Sequence, residues 1–169
     1  IKKIDGSVGI TLRDIYIPKR KRLLNFLNNN LKKLSKEYDL YFIPFALQDI
    51  SFVNHYFRKY FKRIFPLAPP HKTLDTVRSM ENYVGMRLHS CIFALIAKKP
   101  LFIIRCFDKM NDISRDLLNY VNTDLIMGDE RIDFDVKISK INKVLEYYQR
   151  KAKINFNLLS EFLQKKDCN

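Results

Sequence analysis

The sequence has few cysteines, no long apolar run and neither of the common nucleotide-binding motifs. Its three cysteines, Cys91, Cys106 and Cys168, are too few and too irregularly spaced for a disulfide framework or a zinc site, so we expect a reducing, cytoplasmic setting. No run approaches the ~18 apolar residues that a membrane-spanning helix needs. The motifs GxGxxG and GxxxxGK(S/T) are absent, which leaves NAD and P-loop nucleotides without support.

Acidic residues are also scarce relative to basic ones. The chain has 31 Lys and Arg against 18 Asp and Glu, a formal net charge of +13. Such an excess indicates an anionic partner, which could be nucleic acid, a phosphorylated metabolite or an acidic lipid surface, although a compositional bias of the source gives the same pattern. With 169 residues, of which 47% are hydrophobic and 13% aromatic, the chain is large and apolar enough for one compact domain.

Apolar periodicity alternates between strand and helix along the whole chain. Helical patterns of about 10 to 18 residues separate the strand-like runs, which predicts right-handed crossovers and a Rossmann-like α/β domain over 1–169: a doubly wound, mostly parallel sheet with helices on both faces. A helical extension is predicted over 133–166, with a break near Lys151–Asn155. The predicted strands are Ser7–Leu12, Leu40–Phe45, Ile64–Ala68, Asn82–Met86, Leu101–Ile104 and Asp124–Met127. The predicted helices are Lys19–Lys36, Phe52–Arg63, Thr73–Met80, Leu88–Ala97 and Ile113–Tyr120.

A polar pair stands at one predicted junction between strand and helix. Arg87 and His89 follow the strand that begins at Asn82 and precede a helix that is apolar on nearly every face. Open α/β sheets bind ligands where strands end and helices begin, and a helix N-terminus offers unpaired N–H groups to an anion. This segment is therefore the first candidate for a binding site.

Three segments of the chain together resemble segments of a known family. Gly85–Ile104 reads GMRLHSCIFALIAKKPLFII, Val8–Asp14 reads VGITLRD, and Phe42–Ile50 reads FIPFALQDI. Their order and spacing resemble those of the polysaccharide pyruvyl transferases over about the first 110 residues. The family tends to show Tyr-Asp-Pro-Lys after the next strand, whereas this chain has FDKM at 107–110, so no role is carried over to Lys109.

The resemblance implies a fold and a reaction. Members have two Rossmann-like domains arranged as in GT-B glycosyltransferases, and the matching motifs belong to the C-terminal one, so we expect this chain, which begins at Ile1, to be the C-terminal half of a longer enzyme. The implied reaction moves the enolpyruvyl group of phosphoenolpyruvate onto a sugar of a cell-surface polysaccharide, or of its lipid-diphosphate-linked precursor, and forms a pyruvate ketal. No further cofactor and no metal is implied.

The resemblance also suggests roles for four residues. His89 is the candidate general acid, since imidazole titrates near neutrality. Arg13 and Arg87 each follow a strand and are candidates for binding phosphate or carboxylate, which a guanidinium does in a bidentate way. Asp49 could orient an arginine, accept a sugar proton or cap the following helix. Structural roles remain open too, because a lone histidine is usually structural and Arg13 could simply pair with Asp14.

The remaining candidates are weaker, and two rival functions stay open. We expect His55 and His71 to lie at the surface and Cys91 to lie in the core. The basic segments 19–22 and 56–63 favour solvated faces first and contact with a membrane surface second. One rival function is a GT-B glycosyltransferase that uses a nucleotide sugar, for which Asp108 is the one nearby acidic candidate. The other is a nucleic-acid-binding domain, which no recognisable signature supports.

Overall fold

A single parallel sheet organises the chain. The computed structural model describes residues 3–15, 20–106, 108–117, 120–122, 130–134 and 138–166. Within these residues six strands pair in the order β3-β2-β1-β4-β5-β6, and every pairing is parallel. The strands are β1 (Ser7–Thr11), β2 (Asp39–Phe42), β3 (Arg63–Ile64), β4 (Asn82–Gly85), β5 (Leu101–Arg105) and β6 (Tyr120–Asn122).

Helices connect the strands and cover both faces of the sheet. They are α1 (Arg20–Glu37), α2 (Leu47–Tyr56), α3 (Pro70–Ser79), α4 (Leu88–Ile96), α5 (Asn111–Leu117) and α6 (Ile138–Lys166), with 3₁₀ turns at Arg58–Tyr60 and Asp108–Met110. The strands run outward from β1 to β3 on one side and from β4 to β6 on the other. The prediction of a Rossmann-like, doubly wound α/β domain is confirmed.

Successive side chains of the central strands point to opposite faces of the sheet, and each face has its own hydrophobic core. Val8, Ile10 and Leu12 are fully buried in the core that contains the apolar side chains of α1 and α2. Tyr83 and Ile103 belong to the other core, which α3, α4 and the first turns of α6 complete. Because the central strands are covered on both faces, their inner residues are mostly apolar, as is expected for a buried parallel sheet.

The leucine stripe predicted for α1 is buried, and one polar residue is buried beside it. The Asn30 side chain donates to the carbonyl oxygens of Phe26 (3.0 Å) and Glu130 (3.1 Å) and accepts the N–H of Ile132 at 2.9 Å. These bonds fasten residues 130–134 to α1. Sequence periodicity does not reveal the bonds to Glu130 and Ile132, because these residues are about a hundred positions from Asn30.

Helix α2 differs from its prediction at both ends. It begins at Leu47 and its N-cap is Ala46, so the expectation that Asp49 caps a helix over Phe52–Arg63 was wrong. Strand β2 ends at Phe42, and Pro44 two residues later has no N–H with which to extend the ladder. The helix ends at Tyr56, and the aromatic periodicity that predicted its continuation comes from a 3₁₀ turn that follows.

Three other boundaries were misplaced. Strand β3 ends at Ile64 and α3 begins at Pro70, where a proline in the first helical turn loses no hydrogen bond. Helix α5 ends at Leu117, and Tyr120, predicted to close it, opens β6. The strand predicted over Asp124–Met127 lies outside the described residues.

Helix α6 begins at Ile138 and continues without a break to Lys166, so the predicted interruption near Lys151–Asn155 was wrong. The apolar residues change stripe in that region, which suggested two helices. The segment contains neither Gly nor Pro, however, and nothing in its backbone forces the helix to stop.

Helix α4 ends in a conformation that suits glycine, although the residue is Lys98 with φ of 54°. The N–H groups of Lys98 and Lys99 donate to the carbonyls of Leu95 and Ala94, both at 2.9 Å, which is a Schellman motif.

Replacing Lys98 by glycine should stabilise the protein. A left-handed conformation costs an L-residue about 1–2 kcal/mol, and glycine avoids this cost. Glycine also has a larger entropy in the unfolded chain, which offsets part of the stabilisation. We expect Lys98→Gly to raise the free energy of unfolding in urea by about 0.5–1 kcal/mol. Lys98→Ala, the control, should give no such gain, and a loss of stability in Lys98→Gly would contradict this account.

Candidate functional site

The candidate site lies at the carboxyl edge of the two central strands. Strands β1 and β4 pair with Thr11 opposite Gly85, and the Met86 N–H donates to the Thr11 carbonyl at 3.1 Å. Arg13 and Arg87 each follow these paired residues by two positions, so they leave the sheet at equivalent places. The strand order reverses between β1 and β4, and such a switch point is where open α/β sheets form their ligand crevice.

Arg87 is held by a carboxylate below the surface. Its Nε donates to Asp49 Oδ2 at 2.7 Å and its Nη2 donates to Asp49 Oδ1 at 2.6 Å. Asp49 is 1% exposed and Arg87 is 22% exposed, so solvent screens this pair poorly. The N–H of Phe45 also donates to Asp49 Oδ2 at 3.3 Å, which ties the pair to the chain after β2. Asp49 thus orients the arginine from beneath.

The bond to Asp49 leaves the outer part of the Arg87 guanidinium available. Nε and one proton of Nη2 are used, whereas Nη1 and the second Nη2 proton have no acceptor among the described residues. These atoms form the end-on fork of the guanidinium, which fits a carboxylate or phosphate in a bidentate way. Arg87 can therefore keep Asp49 and bind an anion at the same time.

A cavity of about 360 Å³ opens beside this pair. Its lining joins the chain after β2, the segment before α3 and the first turns of α3 and α4, and includes Pro44, Phe45, Leu67, Thr73, Arg87, His89 and Phe93. Phe45 and Phe93 form an edge-to-face contact with ring centroids 5.3 Å apart. We name this space the Arg87 cavity.

Two helices begin at the Arg87 cavity without a capping side chain. The N-caps of α3 and α4 are Pro69 and Arg87, and neither makes a side-chain cap hydrogen bond. Orphan N–H groups and the positive ends of both helix dipoles therefore lie at its rim. His89, in the first turn of α4, is exposed and makes no hydrogen bond or ion pair with any described residue. The cavity thus combines positive charge with an imidazole that forms no bond to any described side chain.

A buried chain of hydroxyl groups supports the cavity from within the sheet. The Thr11 hydroxyl donates to the Ile43 carbonyl at 2.7 Å and accepts from the Tyr83 hydroxyl at 2.6 Å, and the Ser90 hydroxyl lies beside the same phenol. Ser90 in turn donates to the Arg87 carbonyl at 2.8 Å. Burial raises the pKa of Tyr83 well above its ordinary value, so the phenol stays neutral. This chain fixes the start of α4 relative to β1 and β2.

Close packing also depends on Gly85. A Cβ there would lie 2.6 Å from the Cys91 sulfur and 3.2 Å from the Ser90 hydroxyl, so a side chain would push α4 away from β4. Cys91 is fully buried, as predicted for a core residue. Burial raises the pKa of its thiol to about 12, which keeps the sulfur protonated and excludes it as a nucleophile at neutral pH.

The structure separates the other candidates from the Arg87 cavity. Arg13 is half-buried at the end of the neighbouring strand but is not part of the lining. Asp14 forms an ion pair with Arg20 at 2.8 Å. His55 and His71 are exposed, as predicted. Sequence reasoning missed Tyr83 and the segment 67–73, and the Pro69–Pro70 pair was a usable signal for a helix start at this edge.

Comparison with known proteins identifies one family. Residues 3–108 match the family model described as polysaccharide pyruvyl transferase, and this range contains Arg13, Asp49, Arg87 and His89. No curated protein shows significant similarity to the chain. Among the described residues, no helix has the length and apolar character needed to cross a membrane, and no cluster of His, Cys, Asp or Glu could hold a metal ion.

The buried pair should contribute more to stability than an exposed one. We expect a double-mutant cycle with Asp49→Asn and Arg87→Gln to give a coupling energy of about 1–3 kcal/mol in urea unfolding, because both groups lie where solvent screens them poorly. The Asp14–Arg20 pair is 47% and 39% exposed and serves as the control, with an expected coupling below about 1 kcal/mol. Equal coupling in the two cycles would show that burial adds nothing.

The packing around Cys91 should make its thiol unreactive. We expect iodoacetamide at mildly alkaline pH to label Cys91 only after the protein is unfolded, because the thiol is buried and its pKa is raised to about 12. Peptide mass spectrometry of native and urea-treated samples measures this. Labelling of Cys91 in the native protein at the rate of a free thiol would contradict the assigned packing.

Proposed function

The chain belongs to the polysaccharide pyruvyl transferase family, and we propose that it transfers the enolpyruvyl group of phosphoenolpyruvate to a sugar of a cell-surface polysaccharide or of its lipid-linked precursor. The observation that carries the proposal is the placement of His89 and the free fork of Arg87 on one cavity, at the starts of two uncapped helices.

The Arg87 cavity suits a small dianion. Phosphoenolpyruvate carries a phosphate and a carboxylate, and the end-on fork of Arg87 can bind either group. The first turns of α3 and α4 add N–H donors and partial positive charge, each contributing roughly 0.3–1 kcal/mol for an anion. Arg13 does not line the cavity but leaves the sheet at the equivalent place on β1, and we assign it to the second anionic group of the same ligand where that group projects from the cavity. Asp49 contributes by holding Arg87 in place.

His89 is assigned the proton transfers. The imidazolium protonates the methylene carbon of phosphoenolpyruvate, which becomes a methyl group and leaves an oxocarbenium-like centre at the adjacent carbon. A sugar hydroxyl attacks that carbon, and its proton returns to the imidazole. The bond from the carbon to the phosphate oxygen then breaks, a second hydroxyl of the same sugar closes the ketal, and its proton leaves with the phosphate. An exposed imidazole without a partner among the described residues is available to act as acid and then as base.

The rival function is a glycosyltransferase with a nucleotide-sugar donor. Its acidic candidate, Asp108, is exposed in the 3₁₀ turn after β5 and does not line the Arg87 cavity. The arrangement therefore favours a donor that is recognised by positive charge alone. A nucleic-acid partner is also less well supported, because the exposed basic residues are spread over α1 and the segment 58–63.

We further propose that the enzyme works in the cytoplasm and contacts the membrane surface electrostatically when its acceptor is lipid-linked. Arg58, Lys59 and Lys62 are exposed, whereas Phe57 and Phe61 are buried. Phe57 and Phe61 thus belong to the core, and the three exposed basic side chains supply charge for an acidic lipid headgroup.

Removing the imidazole should abolish most turnover. We expect His89→Ala to slow phosphate release from phosphoenolpyruvate, in the presence of an acceptor glycan, by about 100- to 10,000-fold, the usual contribution of a general acid. His71→Ala, an exposed histidine in the first turn of α3 that does not line the cavity, is the control and should retain activity. Undiminished turnover in His89→Ala would contradict the assignment. Turnover of a nucleotide sugar in place of phosphoenolpyruvate would support the rival function.

A further inference from the structure

A second cleft opens at the same edge of the sheet, on the other side of α2. It encloses about 430 Å³, and its lining includes Asp14, Arg20, Gln48, Ser51, His55 and Tyr56. We name it the α2 cleft. Two of its lining residues neighbour residues of the first site in the sequence: Gln48 precedes the Asp49 that holds Arg87, and Asp14 follows Arg13.

We propose that the α2 cleft binds a neutral sugar unit of the acceptor glycan. The identification of this sugar as part of the acceptor rests on the proposed function, whereas binding of a neutral sugar in the cleft does not. A glycan longer than one unit must extend over the surface beside the reacting sugar, and the α2 cleft is a groove at the same carboxyl edge as the Arg87 cavity.

The charge of the α2 cleft selects the class of ligand. Among the described lining residues, the one carboxylate, Asp14, is paired with the one guanidinium, Arg20, at 2.8 Å, so these two charges compensate. Gln48 and Ser51 add an amide and a hydroxyl, each of which both donates and accepts hydrogen bonds. This mixture matches the hydroxyl groups of an uncharged sugar. The Arg87 cavity, in contrast, has an arginine and two helix N-termini and suits an anion.

One aromatic ring gives the α2 cleft a face on which a sugar can stack. The Arg20 guanidinium lies over the Tyr56 ring, 5.6 Å from its centroid, and the His55 ring meets it edge to face with centroids 4.4 Å apart. Tyr56 is still 37% exposed, so part of its ring is open to solvent. The Arg20 Nε has no hydrogen-bond acceptor among the described residues, so Asp14 does not satisfy the whole guanidinium. The exposed part of this aromatic ring, beside a guanidinium that is 39% exposed, favours the C–H face of a pyranose ring and its hydroxyl groups.

Ligand binding tests the α2 cleft without depending on catalysis. We would measure saturation-transfer NMR of the full chain with lactose, maltose and N,N′-diacetylchitobiose as neutral probes. For at least one probe, we expect Tyr56→Ala and Gln48→Ala to weaken binding by about 3- to 10-fold, the effect of losing one hydrogen bond or ring contact. Tyr56→Phe keeps the ring, and Asn54→Ala alters an exposed residue of α2 outside the cleft, so both should bind as the wild type does. Absence of binding in the wild type, or equal binding in all variants, would overturn the proposal.

Turnover separates this inference from the proposed function. With phosphoenolpyruvate and an acceptor glycan, Tyr56→Ala should raise the KM for the glycan by about 3- to 10-fold and leave kcat and the KM for phosphoenolpyruvate unchanged. A rise in the KM for phosphoenolpyruvate instead would overturn the assignment of the cleft to the acceptor. If no variant or wild-type protein turns over phosphoenolpyruvate while sugar binding follows the expected pattern, the proposed function fails and the sugar site remains.

Discussion

The arrangement of the site depends on the bidentate bond between Arg87 and Asp49. The arginine follows β4 and the carboxylate belongs to the first turn of α2, so the bond joins the ends of two strands that are not neighbours in the sheet. A buried carboxylate without a partner would be costly, and an arginine without the carboxylate would sample many rotamers. Each residue therefore fixes the other. The geometry also determines which guanidinium edge is left for a ligand, because Asp49 takes the side that contains Nε.

That bond can form only because the backbone around it packs very closely. Gly85 lets the first turn of α4 lie against the end of β4, with no room for a Cβ beside the Cys91 sulfur. Tyr83 then connects this turn to β1 through Thr11, in a fully buried position where an unmade hydrogen bond would be expensive. The polar contacts beneath the site therefore resist any shift of α4 relative to the sheet. A cavity whose walls hold their positions can present an arginine and a histidine to a ligand without ordering them during binding.

The sequence predicts the fold well because periodicity and strand-to-helix alternation are local properties. It located all the elements of the Rossmann-like sheet through β5, and it singled out Arg87 and His89 at the end of β4. It failed where structure depends on distant partners. The Thr11 and Tyr83 hydroxyls are separated by 72 positions, and no spacing rule relates them. Asp49 resembled a helix cap because the pattern placed α2 too late; with the observed start at Leu47, the same carboxylate lies in the first turn and reaches across to Arg87.

The net charge of +13 pointed to an anionic partner, but the site does not owe its character to that excess. Most of the surplus lies on α1 and the segment 58–63, and none of these basic residues lines the Arg87 cavity. In the Arg87 cavity itself, the arginine among the described lining residues and two helix N-termini supply the positive potential in a partly desolvated space, where fixed dipoles are screened much less. In the α2 cleft, the charges of the described lining residues Asp14 and Arg20 pair with each other. Two adjoining spaces can therefore differ in ligand preference although the whole chain is strongly basic, and the local arrangement of charges is the better guide to function than their sum.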